Sequence, residues 1–185
     1  MALRKAAAYS RIHTCPYTRI SKKKNKAFIK VVPPQKIVKF SMGSPKLVRE
    51  GKLPFKLTVF STENIQVRHT ALEACRQYLN KQLDLISPGL YVFKVVPFPH
   101  HIQRENKMLT GAGADRMQTG MQLSYGKSIS KAAILKPGSK LFEFYLPTQK
   151  AVAETRVFFH KVKPKLPGRM KVVYEELTPE KAKAF

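Results

Sequence analysis

The glycine-rich stretch inside residues 106–127 comes nearest to a nucleotide site. Gly111-Ala-Gly113 opens like the dinucleotide fingerprint G-x-G-x-x-G, but Arg116 stands where the third glycine belongs. Gly120-MQLSY-Gly126-Lys127-Ser128 approaches a P-loop, with five residues between the glycines where that motif has four. A cradle of backbone N–H groups has a fixed size, so the insertion spoils the fit. A predicted strand follows, where a P-loop should lead into a helix. His100 and His101 are adjacent, and neighbours on a strand point to opposite faces. His13 and Cys15 form one H-x-C with no second pair, short of a zinc site. Both sets read as exposed polar residues of a basic chain. Asp115 is the sole acid between Asn106 and Phe142, and Arg116 beside it would pair with it. Cys75 falls on an apolar helix face and reads as core. The sequence therefore predicts no enzyme, no metal, no cofactor and no small-molecule substrate.

Contact remains as the use of this stretch. Residues 107–127 carry four glycines, three methionines and two glutamines, with no period of 2 or 3.6. An irregular segment of that length inside a compact domain is functional or disordered. Lys107, Arg116 and Lys127 can reach phosphates, and Gln118 and Gln122 offer donors and acceptors. Glycines allow close backbone approach, and Met108, Met117 and Met121 could pack on sugars or bases.

Charge names the partner class. Thirty-five Lys and Arg against eleven Asp and Glu leave a net +24 over 185 residues. That excess is far above the magnitude of about 2–8 that serves solubility, and a polyanion would both neutralise it and release counterions on binding. Residues 1–49 hold thirteen of the positive charges and no acid. They are densest at SKKKNK, residues 21–26, where Lys22, Lys23, Lys24 and Lys26 follow Arg4, Lys5, Arg11 and Arg19. Tyr9 and Tyr17 lie within this arm and could stack on bases. Nucleic acid is thus favoured. No apolar run reaches the ~18 residues needed to span a bilayer, no basic amphipathic helix suggests a membrane surface, and the N-terminus lacks the apolar region of a secretory signal. Two cysteines suit a reducing, cytoplasmic setting.

The elements that would position these residues are mixed α and β. AFIKVV (27–32), KIVKF (36–40), FKLTVF (55–60), LYVFKVVPF (90–98), ISKAAILKP (129–137), KLFEFYL (140–146) and RMKVVYEE (169–176) read as strands. Pro137-Gly138 reads as the turn of a hairpin. Leu72, Cys75, Leu79 and Leu83 share one helical face, with Thr70 and Glu73 spaced as a capping box. Ala151, Val152, Phe158, Phe159 and Val162 form a second stripe, with Thr148 as its cap. The expectation is an α+β fold: an antiparallel or mixed sheet in a meander, with two helices on one side. A basic arm (1–26), one domain (27–176) carrying the loop 106–127, and a tail (177–185) divide the chain.

PHHIQRENKML (99–109), AGADRMQTGM (112–121) and YGK (125–127) together resemble the universal large-subunit ribosomal protein sixteen family, in its archaeal and eukaryotic "ten-e" branch. Pro16-Tyr17, Lys36-Ile37, ALEACR (71–76) and LKPGSKLFEF (135–144) extend the likeness over most of the chain. The segment 18–35 is longer and richer in lysine than the family pattern, and Thr110-Gly111 stands where Ser-Cys is expected. The resemblance implies a hammerhead-like β arrangement and a structural constituent of the large subunit that binds its rRNA, beside neighbouring ribosomal proteins. It implies rRNA contact through the arm residues and Tyr9, Tyr17, Arg104 and Lys127. It further implies that Asn106, Lys107, Met108, Gly111, Gly113, Asp115, Arg116 and Gln118 face tRNA and the peptidyl-transferase centre. A free-standing RNA-binding regulator or assembly factor is the alternative.

Overall fold

The computed structural model describes residues 5–10, 15–21, 23–106, 120–122 and 124–177. Strand β1 (Ser41–Gly43) and helix α1 (Pro45–Arg49) are followed by β2 (Phe55–Ser61), β3 (Ile65–Arg68) and the long α2 (His69–Ile86). Then come β4 (Val92–Val95), β5 (His101–Glu105), β6 (Lys127–Leu135), β7 (Lys140–Leu146), α3 (Gln149–Val162) and β8 (Met170–Glu176). The α+β class is as expected, but the strands form two antiparallel sheets and not one meander. Five strands lie in the order β1-β4-β7-β2-β8 and three in the order β3-β6-β5.

Several local expectations are corrected. Pro137-Gly138 does make a turn, with Gly138 at φ 80 and Ser139 N–H donating to Lys136 O. Yet β6 and β7 on either side belong to different sheets, so the turn carries the chain between sheets and closes no hairpin. The runs 27–32 and 36–40 are not strands. Pro33 and Pro34 remove ladder donors between them. Val38 N–H donates to the Glu73 carboxylate on α2 at 3.4 Å, which packs Ile37 into the core and leaves Val38 outside. Glu73 also accepts from Arg76 Nε at 2.8 Å, Arg76 Nη2 at 2.6 Å and Gln77 Nε2 at 3.1 Å. Its carboxyl is held below the usual range, first by Arg76. Glu73 is therefore an anchor and not part of a capping box; α2 starts behind Arg68 with no side-chain cap. Thr148 does cap α3, accepting from Ala151 N–H at 3.3 Å.

The core lies between the helices and the five-stranded sheet, joined by Ile65 and Val67 of β3 and Ala133 and Leu135 of β6. Leu72, Cys75, Leu79 and Leu83 of α2 are all buried, together with Ala151, Val152, Phe159 and Val162 of α3. Across the β4–β7 ladder, Phe93 and Phe144 are direct partners whose rings stack at 4.6 Å, with Phe142 edge-on to Phe93 at 5.6 Å. Such ring pairs add stabilisation beyond their buried area. A smaller cluster of Val48 from α1, Leu53, Val92 and Tyr145 is buried apart from it. Burial pushes the Cys75 thiol up to about 12, which leaves it protonated and unreactive at neutral pH.

Buried polar residues mark the three-stranded sheet. Gln66 and Gln103 are both buried, and Gln103 Nε2 donates to Gln66 Oε1 at 3.2 Å. His101, expected on the surface, is only 5% exposed. Its Nδ1 accepts the Tyr17 backbone N–H at 2.9 Å, so that nitrogen must be unprotonated for the contact to form. Burial lowers the affinity of His101 for a proton, aided by His100 and Arg104. Burial does the same at His69, helped by Lys131, Lys36 and Arg68.

Two stability measurements follow. Leu79→Ala removes a fully buried side chain and is expected to cost about 2–5 kcal/mol in urea unfolding, whereas Lys127→Ala, on an exposed side chain, should change it by less than about 0.5 kcal/mol. His69 and His101 are held neutral in the folded state but protonate in the unfolded chain near pH 6.5. Their depressed folded values mean stability is full above that pH and is lost as pH falls below it. The melting temperature should therefore drop on acidification from about pH 7 to about pH 5, above the range where carboxylates titrate. The pair His69→Gln and His101→Gln should flatten that slope; an unchanged slope would contradict the assignment.

Candidate nucleic-acid interface

The interface is built where the arm meets the β5–β6 hairpin. Ile102 N–H of β5 donates to Tyr17 O at 3.0 Å, and Tyr17 N–H returns to His101. On the opposite edge of the same sheet, Gln66 N–H of β3 donates to Ser10 O at 3.1 Å. The arm thus occupies both edges of the three-stranded sheet, which satisfies backbone groups that would otherwise face water or another chain. Just past the arm, Ser128 Oγ of β6 donates to Val31 O at 2.6 Å.

These ties place aromatic rings around one guanidinium. Arg104 lies just after a register shift between Gln103 and Arg104, an irregularity of the kind that re-aims a side chain. Its guanidinium carbon is 3.7 Å from the centroid of Tyr125 and 4.7 Å from that of Tyr17, and Nη1 donates to Tyr125 O at 3.3 Å. Tyr17 meets Tyr125 at 5.7 Å and Phe28 at 6.1 Å, both edge-on. The Tyr17 phenol is raised above its ordinary value, first by its side-chain hydrogen bond with Tyr125, so it is a neutral hydroxyl at neutral pH. Tyr9 sits elsewhere, with the Arg68 guanidinium 4.8 Å from its ring centroid.

The same residues frame the base of the long loop. Glu105 of β5 pairs with Lys127 of β6. Gly126, at φ 79, is so close that a Cβ there would lie 2.5 Å from Glu105 C and 2.7 Å from Asn106 N. Only glycine fits this combination of left-handed backbone and close approach. Asn106 Nδ2 donates to Gly120 O at 3.4 Å across the neck. Beside it opens a cleft of about 500 Å³, whose lining includes Tyr17, Ile29, Lys30, Arg104, Tyr125 and Lys127.

Of the residues singled out by sequence, Tyr17, Arg104, Asn106 and Lys127 are brought together here. Lys5, Arg19, Lys23 and Lys26 are exposed on the described part of the arm, with Lys24 in a short 3-10 turn, Lys24–Lys26. Arg4, Arg11, Lys22, Lys107, Met108, Gly111, Gly113, Asp115, Arg116 and Gln118, like His13, lie outside the described residues. Sequence reasoning missed Phe28 and the stacking role of Tyr125; the signal for both was an aromatic residue flanking a basic or glycine-rich run. Among the described residues, no group of three or more His, Cys, Asp and Glu could hold a metal ion, and no helix is long and apolar enough to cross a membrane.

Known proteins are similar to this sequence. The family model described as ribosomal protein L16p/L10e matches residues 16–173. A protein of Staphylothermus marinus called large ribosomal subunit protein uL16 is 36% identical over 180 residues, covering 97% of each chain. Proteins of the same name from Methanoculleus marisnigri and Thermoplasma acidophilum are 36% and 37% identical. The former alignment covers 95% of this chain and 97% of that protein, the latter 94% and 93%. The match spans both sheets, both long helices and the cleft at the loop base, and the chain belongs to the ribosomal protein L16p/L10e family, whose members are structural ribosomal proteins and not enzymes.

Proposed function

We propose that this chain is a constituent of the large ribosomal subunit that binds its rRNA beside the aminoacyl-tRNA site, with the loop Asn106–Lys127 reaching toward the peptidyl-transferase centre. The observation that carries this reading is the docking of a cationic arm onto the sheet from which that loop springs, through Tyr17, His101 and Ile102. Phosphate contacts fix register and orientation without chemistry. Exposed cations at Arg19, Lys23 and Lys26 supply such contacts, while the Arg104–Tyr125 contact holds the neck of the loop. The loop itself needs no catalytic group for this role. Its glycines, Arg116 and Gln118 would give backbone and polar contacts to rRNA and tRNA. Neighbouring large-subunit proteins and a cytoplasmic, ribosome-bound location complete the reading. The relatives' shared name, large ribosomal subunit protein, supports it.

Two experiments test it. Replacing Lys23, Lys24 and Lys26 together by Gln leaves the sheet-edge contacts of Ser10 and Tyr17 in place. Affinity for a large-subunit rRNA fragment should fall, and the slope of log K against log salt should lose up to about 0.9 per phosphate contact removed. An unchanged slope means these cations touch no phosphate. Exchanging Thr110–Gln118 for a Gly-Ser linker should leave the fold and rRNA docking intact while impairing subunit maturation or tRNA accommodation. Wild-type assembly, tRNA affinity and peptide-bond formation with that variant would reduce the loop to a connector.

A further inference from the structure

The cleft at the loop base has features that phosphate binding alone does not use. Tyr125 is 54% exposed although it is held by Arg104, Val31 in the same lining is 70% exposed, and Phe28, against the Tyr17 ring, is 61% exposed. Large apolar groups left in water next to lysines suit a ligand with one flat apolar part and one anionic part. A nucleotide is such a ligand. We propose that this cleft receives a single unstacked nucleotide of an RNA strand, its base lying on the Tyr125 ring and its phosphate drawn to Lys30 and Lys127; the proposal rests on the RNA-binding reading above.

Size, charge and rigidity favour this occupant. The volume of about 500 Å³ lies within the range of about 300–1,000 Å³ for clefts that enclose one small molecule, and a duplex does not enter such a space. A base inside a helix has both faces covered, so an aromatic platform meets only bases that are unpaired and splayed out. An apolar side chain from a neighbouring protein would use the rings but bring no anionic group to Lys127. The walls are fixed in advance: Ser128 Oγ is tied to Val31 O, Arg104 Nη1 to Tyr125 O, and the Tyr17 backbone to β5 through Ile102 N–H and the His101 side chain. Preorganisation of that kind lowers the ordering cost of binding.

The chain has no tryptophan, so Tyr125→Trp introduces a sole indole reporter. The full-length variant is titrated with a single-stranded RNA pentanucleotide, a short blunt RNA duplex and linear polyphosphate. The expected result is saturable quenching by the single strand alone, while all three bind with salt-dependent affinity. In the otherwise unaltered chain, Tyr125→Ala should weaken pentanucleotide binding roughly tenfold or more, and Tyr125→Phe, which keeps the ring and controls for folding, should restore it. Both should bind polyphosphate like the wild type. Equal quenching by duplex or polyphosphate, or pentanucleotide affinity indifferent to Tyr125→Ala, overturns the cleft assignment. If a large-subunit rRNA fragment still binds tightly in that case, the proposed function stands and only the cleft falls. Failure of the wild type to bind any RNA removes both.

Discussion

The peptide groups on the two outer edges of the three-stranded sheet need partners, and the chain finds them in its most highly charged segment. Ser10 caps one edge and Tyr17 the other. This constraint determines much of what surrounds it. Because Tyr17 must lie along β5, its ring falls beside Arg104 and Tyr125. Because that contact must hold, His101 is buried with an unprotonated Nδ1. The arm is therefore part of the sheet's architecture as well as a carrier of charge, and the neck of the loop is built from residues far apart in sequence.

The two sheets divide the work. The five-stranded sheet is apolar where it faces the helices, and its Phe93–Phe142–Phe144 cluster provides the rigid body. The three-stranded sheet buries Gln66, Gln103 and Ser130 and carries the arm on its edges. Buried polar groups contribute little net stability when satisfied and cost dearly when not. Here they fix geometry where the arm and the neck of the loop have to be held in register. Backbone contacts tie the sheets at one corner, with Gly138 N–H donating to Ser61 O and Ser61 N–H to Ser139 O.

The helices were legible because their apolar residues recur on one face: every member of the Leu72–Leu83 stripe is buried, and KLFEFYL is β7 residue for residue. The short strands β3 and β5 were not. IQVR alternates apolar and polar residues over only four positions and HIQRE holds a single apolar residue, while Gln66, Arg68, His101 and Gln103 are themselves buried; a pattern that reads polarity as exposure misses them. The runs 27–32 and 36–40 have strand composition but lose their hydrogen-bond partners to Arg19, Ser128 and Glu73, which no local window displays. At the site, Tyr17 and Arg104 were legible one at a time, as an aromatic and a cation in a basic chain. Their meeting was not, because 87 positions separate them and the contact depends on a sheet edge that local patterns did not reveal.

The arm's docking contacts carry a consequence for the order of synthesis. Ser10, Tyr17 and, just past the arm, Val31 are made early, but the groups they join lie at Gln66, Ile102 and Ser128. A chain emerging N-terminus first exposes its basic segment long before β5 and β6 exist to receive it. Domains fold as units during translation, and contacts of long sequence separation form late. The basic segment thus leaves the exit tunnel before the strands that receive it and is seated only after them. During that interval its lysines meet the polyanions of the cell before they meet their own fold.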